Sequence, residues 1–136
     1  MALTAEVDME RRLVMARAHG VLTYEDIEQY QKTLWTRPEV KGFNEIVDVS
    51  DVEKIDYQSS HHVRELAVLA SEMDGVEKSR LAIVASEAGA YGIARMYQTY
   101  RGLQSKSTKE VAVFHTMDEA MKWLGVERTA GAGRAE

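Results

Sequence analysis

The sequence predicts an α/β domain: a mixed, mostly parallel sheet of about five strands, entered through an N-terminal hairpin and covered by about four helices. Three observations lead there. Leu81, Ala82, Ile83, Val84 and Ala85 form an apolar run without alternation, the pattern of a strand covered on both faces. Ile93, Met96, Tyr97, Tyr100 and Leu103 then recur at helical spacing, so the helix that carries them packs back onto that strand. After an initial hairpin, strand and helix patterns alternate at separations that suit right-handed crossovers.

Each element has its own signal. Leu3 to Val7 and Arg12 to Ala18 read as a hairpin around Asp8, Met9, Glu10 and Arg11, with Leu3, Ala5 and Val7 alternating against polar neighbours. His19-Gly20 is expected to break the second strand. Thr23 with Asp26 forms a capping box, Asp standing in for the usual Glu or Gln. The helix it opens carries Ile27, Tyr30, Gln31 and Leu34 on one face and stops near Thr36, because the residue before Pro38 is pushed out of the helical region. Phe43 to Val49 is the next strand, followed by a polar connection from Ser50 to Asp56 pinned by Val52 and Ile55.

The second helix begins near Ser59. Val63, Leu66, Ala67, Ala70 and Met73 line its apolar face, and Gly75 stands where a left-handed cap is wanted. The strand at 81–85 passes through the turn Glu87-Ala88-Gly89-Ala90-Tyr91-Gly92 into the third helix. After a polar loop from Gln104 to Lys109, Val111 to Phe114 make the last buried strand. Thr116 and Glu119 box the fourth helix, whose Met117, Ala120, Met121 and Leu124 share a face and which ends at Gly125. The domain thus spans 1–125, and 126–136 is expected to be a flexible C-terminal tail.

A chain of 136 residues with 45% hydrophobic and 29% charged side chains builds its own core without metal or disulfide, in the composition range of soluble globular domains. No apolar run approaches the roughly 20 residues of a membrane span, and the N-terminus lacks a basic-then-apolar leader, so a cytoplasmic location is expected. With no cysteine, disulfides, thiol catalysis and thiolate ligands are excluded. A net charge of −5 without a concentrated basic face argues against nucleic acid as partner.

Candidate functional residues fall in two places. Ser59 and Ser60 are phosphoacceptor candidates at the head of helix two, where a phosphate would meet the positive end of the dipole; capping alone also accounts for them. Gly89, Gly92 and Arg95 form a glycine-and-guanidinium pattern suited to an anion at the carboxyl end of a buried strand. Tyr91, Met96 and Tyr97 add more aromatic and soft apolar surface than one buried stripe needs, as a pocket wall or a dimer surface would. His19, His61, His62 and His115 have no metal-ligand spacing, adjacent His61 and His62 diverging by about 100° on a helix. Asp48, Asp51 and Asp56 near Ser59 or His61 lack a nucleophile elbow or oxyanion loop. No metal, cofactor or catalytic group is expected.

The order of elements, with the stretch from Ile46 to Asp56 (IVDVSDVEKID) before helix two and that from Ala90 to Gln98 (AYGIARMYQ) at the head of helix three, resembles the STAS-like family related to bacterial anti-sigma-factor antagonists. The pattern Gly92, Ala94, Arg95, Met96 is similar to its uncharacterised bacterial branch, which also resembles CRAL-TRIO lipid-transfer domains in fold. The resemblance covers about residues 5–125. It implies a small non-catalytic domain that binds a partner protein or a small ligand. In the antagonists an Asp-Ser pair opens helix two and its Ser is phosphorylated by a partner kinase. Here Asp56 stands at the motif Asp, Tyr57 and Gln58 follow it, and the hydroxyls come at Ser59 and Ser60.

Two function classes follow. A regulatory domain that binds a protein partner needs an exposed apolar patch; self-association fits the surplus Tyr and Met surface. The alternative, a carrier or sensor of a small apolar or anionic ligand (a lipid among them), needs a cavity of roughly 300 Å³ or more between helices two and three, lined by residues such as Leu66, Met73, Met96 and Tyr97. An enzyme would need Arg95, His115 and Asp48 to converge in one cleft.

Overall fold

In the computed structural model, which describes residues 2–56 and 59–126, one sheet carries the strands β1 (Leu3–Asp8), β2 (Leu13–Thr23), β3 (Asn44–Asp56), β4 (Ser79–Val84) and β5 (Lys109–Phe114) in that spatial order. β1 runs antiparallel to β2 as the expected hairpin, and every other neighbouring pair is parallel. The crossovers are α1 (Tyr24–Leu34) with a short 3-10 turn at Pro38–Val40, α2 (Ser60–Met73) and α3 (Ala88–Gly102); α4 (Met117–Leu124) follows β5. The predicted mixed, mostly parallel α/β fold is the observed one.

Strand pleating divides the core into two layers. Leu13, Ile46, Ala82 and Val84 face α4, where Ala120, Met121 and Leu124 meet them. The alternate positions Val47, Leu81 and Ile83 face the other helices and pack with Ala94 of α3. That two-sided cover is why Leu81 to Ala85 shows no alternation.

The caps match their sequence signals. Thr23 and Asp26 complete a capping box on α1, Thr116 and Glu119 another on α4, and Gly125 closes α4 in the left-handed conformation at φ 70°.

Other expectations are corrected. His19-Gly20 does not break β2: Gly20 adopts φ 69°, the ladder to β3 shifts register around it, and the strand continues to Thr23. Ser50 to Asp56 is not a connection but the second half of β3, paired with β2 from His19↔Asp51 to Thr23↔Asp56. Val49 and Ile55 anchor it in the core, while the parallel ladder satisfies the backbone of its polar residues. β4 meets β3 only over Glu45–Asp48, so the paired β2 and β3 run past the end of β4.

The Glu87 to Gly92 turn is also helix. α3 starts at Ala88, with the Glu87 carboxylate accepting from the Ala90 N–H. Its buried side chains are Ala90, Ala94 and Arg101, and Leu103, expected in the core, is 73% exposed just beyond the helix end. α2 leaves through Asp74 in an extended conformation, so Gly75 is no left-handed cap. Tyr57, Gln58 and 127–136 of the expected tail lie outside the described residues. Among the described residues no helix is long and apolar enough to cross a membrane.

Candidate functional site

α1, α2 and α3 do not close completely on the sheet. They leave a cavity of about 70 Å³. α1 contributes Ile27, Tyr30 and Gln31, α2 contributes Val63 and Leu66, and α3 contributes Ala90, Ile93, Ala94 and Tyr97. The sheet floor is Glu45, Val47, Val49 and Ile55 of β3 with Leu81 and Ile83 of β4. Small side chains at 90 and 94 are what leave the space, since the helix carries no bulk where it crosses the floor.

Polar groups gather at one end of this apolar space. Glu45, 1% exposed, accepts from the Tyr30 hydroxyl at 2.6 Å and from Lys109 Nζ at 2.7 Å. Lys109 Nζ also sits 3.2 Å from the centroid of the Trp35 ring, a cation–π contact strengthened by desolvation. Next to this pair lies a second one: Arg101 Nη2 donates to Asp74 Oδ1 at 2.6 Å and Nη1 to the Tyr97 hydroxyl at 2.8 Å. Asp74 Oδ2 accepts from the Thr108 N–H, which ties the start of β5 to the end of α2.

Ionisation follows from this packing. Burial, reinforced by Glu45, holds the Tyr30 hydroxyl protonated well above its ordinary range. Burial likewise raises Tyr97. Burial lowers Lys109, with Glu45 pulling the other way. At Arg101 burial disfavours the charge, but Tyr97 and Asp74 outweigh it and keep the guanidinium protonated.

Gln31 differs from these groups. It is 6% exposed and borders the cavity as a neutral polar side chain, while the buried side-chain atoms without a hydrogen-bond partner among the described residues are Trp35 Nε1 and Arg101 Nε.

Of the candidate ligand-binding residues read from the sequence, Tyr97 borders the cavity, as does Leu66, named for the carrier reading. Met73 borders a small void beside Trp35 and Lys109 instead. Met96 is half-buried, and Gly89, Gly92 and Arg95 are exposed. A Cβ at Gly92 would meet nothing, so no neighbouring protein group requires that glycine. Tyr91 stacks on His115 at 4.2 Å between centroids, with ring planes 6° apart. Ser59 caps α2 by accepting from the His62 N–H at 3.2 Å, and Ser60 is exposed beside it. Tyr24, His61 and His62 cluster on the same end of the sheet.

Asp48 accepts from the Ser50 N–H and borders a groove with Arg17 and Met117 in which neither Arg95 nor His115 takes part. Among the described residues no three His, Asp or Glu side chains converge as metal ligands.

Sequence reasoning missed Glu45, Asp74, Arg101 and Lys109. A faint signal existed for one of them: Glu45 is an acid inside the apolar stretch FNEIVDV, at the register that faces the helices.

The fold recurs in a solved structure, that of an uncharacterised protein of the DUF3478 family with a SpoIIAA-like fold from Shewanella loihica PV-4. The two superpose with a TM-score of 0.58 at 15% identity, over 90% of this chain and 94% of that one. This establishes a SpoIIAA-like, that is STAS-like, fold for the chain. No protein-family model and no curated protein matches the sequence.

Two outcomes are expected from the buried pairs. Lys109→Met leaves the Glu45 carboxylate buried without its cation and lowers stability by about 3–5 kcal/mol, whereas Glu45→Gln with Lys109→Met, which keeps an acceptor for Tyr30, recovers most of the loss. Urea midpoints decide it, and a single variant within about 1 kcal/mol of wild type contradicts the assignment.

The second outcome concerns alkali. With Tyr30 and Tyr97 raised above their ordinary value of 10.0, the folded state keeps protons that the unfolded state sheds. Their contribution is complete below that value and is lost as pH rises through the folded pKa values. The lowered Lys109 works in the opposite sense below its own ordinary value, but it is one group against two. Stability therefore falls above about pH 10, and Tyr30→Phe, about 1–3 kcal/mol less stable at neutral pH, shows a shallower fall. An unchanged slope in that variant removes Tyr30 from the account.

Proposed function

We propose that this chain is a non-catalytic STAS-like binding domain that senses a small ligand held between α1, α2, α3 and the sheet. The observation that carries this reading is the apolar cavity of about 70 Å³ itself, with the polar side chains of Tyr30, Gln31 and Tyr97 placed along its wall. Apolar walls with a few placed polar groups are the usual make-up of a ligand site. At about 70 Å³ the space falls well short of the roughly 300 Å³ set for a carrier, which favours sensing a small molecule over transporting a lipid.

The absence of chemistry in this reading rests on Glu45. Its two oxygens are engaged by Tyr30 and Lys109, so both are committed to structural contacts.

A 1-butanol titration followed by amide NMR tests the reading. Shifts centred on Val47, Ile83, Ala94 and Tyr97 are expected, and Ala94→Leu, which fills the cavity, is expected to abolish them. No perturbation of these residues in the wild type overturns it.

Regulation through a protein partner is the second reading, and the head of α2 favours it. Ser59 and Ser60 are exposed there, no acidic side chain occupies the first turn, and an added phosphate would meet the helix dipole beside His61 and His62. Met9, Val21, Val76 and Leu103 are the exposed large hydrophobic side chains among the described residues. Intact-mass analysis of protein from its own host is the measurement. A phosphate lost in Ser59→Ala/Ser60→Ala supports the switch; bare mass under several growth conditions excludes it.

A further inference from the structure

The cavity's charge balance narrows the ligand further, on the premise that the ligand-sensing reading above holds. Among the described residues, Glu45 is the one along the wall with a formal charge. Its oxygens are satisfied at 2.6 and 2.7 Å. The nearby cations are committed elsewhere: Lys109 to Glu45 and Trp35, Arg101 to Asp74 and Tyr97. Neither cation borders the cavity.

An anionic head group placed there would lose its hydration, face the Glu45 carboxylate and find no free cation. The desolvation of such an ion is worth several kcal/mol and needs a partner charge to offset it. A cationic head group fares little better, because Lys109 already neutralises Glu45.

Neutral hydrogen-bonding side chains also line the wall. Gln31, on the cavity wall, offers two N–H donors and one carbonyl acceptor. The Tyr97 hydroxyl accepts from Arg101 and has its own proton to give. A head group that both accepts and donates meets these groups together. The rest of the wall is hydrocarbon from Val47, Leu66, Leu81, Ile83 and Ile93. One water needs about 10–15 Å³ of such space, so the cavity of about 70 Å³ takes a body of roughly five to seven heavy atoms.

From this we infer that the cavity selects a small uncharged amphiphile, a short hydrocarbon or single ring with one amide or hydroxyl head that pairs with Gln31, and that it rejects carboxylates of the same size. This removes the anionic half of the ligand class drawn from sequence.

Three probes with the same tail test it on the full chain: butyramide, butyrate and butylammonium, titrated near neutral pH and followed by amide NMR at the cavity residues. Butyramide is expected to bind at least tenfold more tightly than either ion, and Gln31→Leu to weaken butyramide at least tenfold. Butyrate binding as well as butyramide overturns the charge argument while leaving the ligand reading intact. Failure of all three probes, and of 1-butanol as well, overturns the ligand reading itself. Undiminished butyramide binding in Gln31→Leu, with the dispersed spectrum of a folded protein, removes Gln31 as the head-group partner. Because the probe series is run on the wild type, the charge argument is decided even if that variant fails to fold.

Discussion

The ion pair between Glu45 and Lys109 is the contact on which the helical layer depends. Glu45 belongs to the central strand β3, Lys109 opens β5, Tyr30 reaches down from α1 and the Trp35 ring covers the ammonium. Three segments far apart in sequence, α1 with its cap Trp35, β3 and β5, are thereby held together at one ion pair. A buried pair of this kind contributes little net stability compared with well-packed hydrocarbon. What it does impose is register: an apolar core tolerates sliding, whereas a carboxylate with two short hydrogen bonds accepts one arrangement.

The second pair works on the same end of the molecule. Arg101 and Asp74 lock the end of α3 to the end of α2, and Asp74 holds the beginning of β5 through Thr108. The amino ends of the parallel strands are therefore the polar, over-determined end of the helical layer. The carboxyl ends carry the exposed helix starts. The cavity lies between a rigid base and a plainer apolar roof, and it exists because α3 crosses the floor on alanines while its larger side chains fall to either side.

What the sequence made legible, and what it hid, has a common cause. Strands covered on both faces announce themselves by composition, as Leu81 to Ala85 does, and caps by local hydrogen-bond chemistry, as at Thr23 and Thr116. These are short-range signals. The second half of β3 was hidden because Ser50, Asp51, Glu53 and Lys54 look like a loop, and only the partner strand β2, with its bulge around Gly20, makes them a ladder. Arg101 was hidden for a similar reason. Ala90, Ala94, Tyr97 and Arg101 recur at spacings of four and three, a proper inward face, but a guanidinium reads as solvent-facing until Asp74 is known to await it. Gln31 was placed on the inward face of α1 from its spacing; that it borders a cavity is visible only once the opposite wall is in place.

The overrun of β2 and β3 past the end of β4 gives the central strand two characters. Up to Asp48, β3 is laddered on both sides; from Val49 on, its ladder is with β2 alone. Opening free energy follows the number of neighbours a segment must leave, so amide protons along this one strand should exchange on two timescales, slow through Asp48 and faster after it. The cavity straddles that joint, taking Glu45 and Val47 from the slow half and Val49 and Ile55 from the fast half. Any molecule seated there touches both, and its binding would register as a change in how far order propagates along the strand.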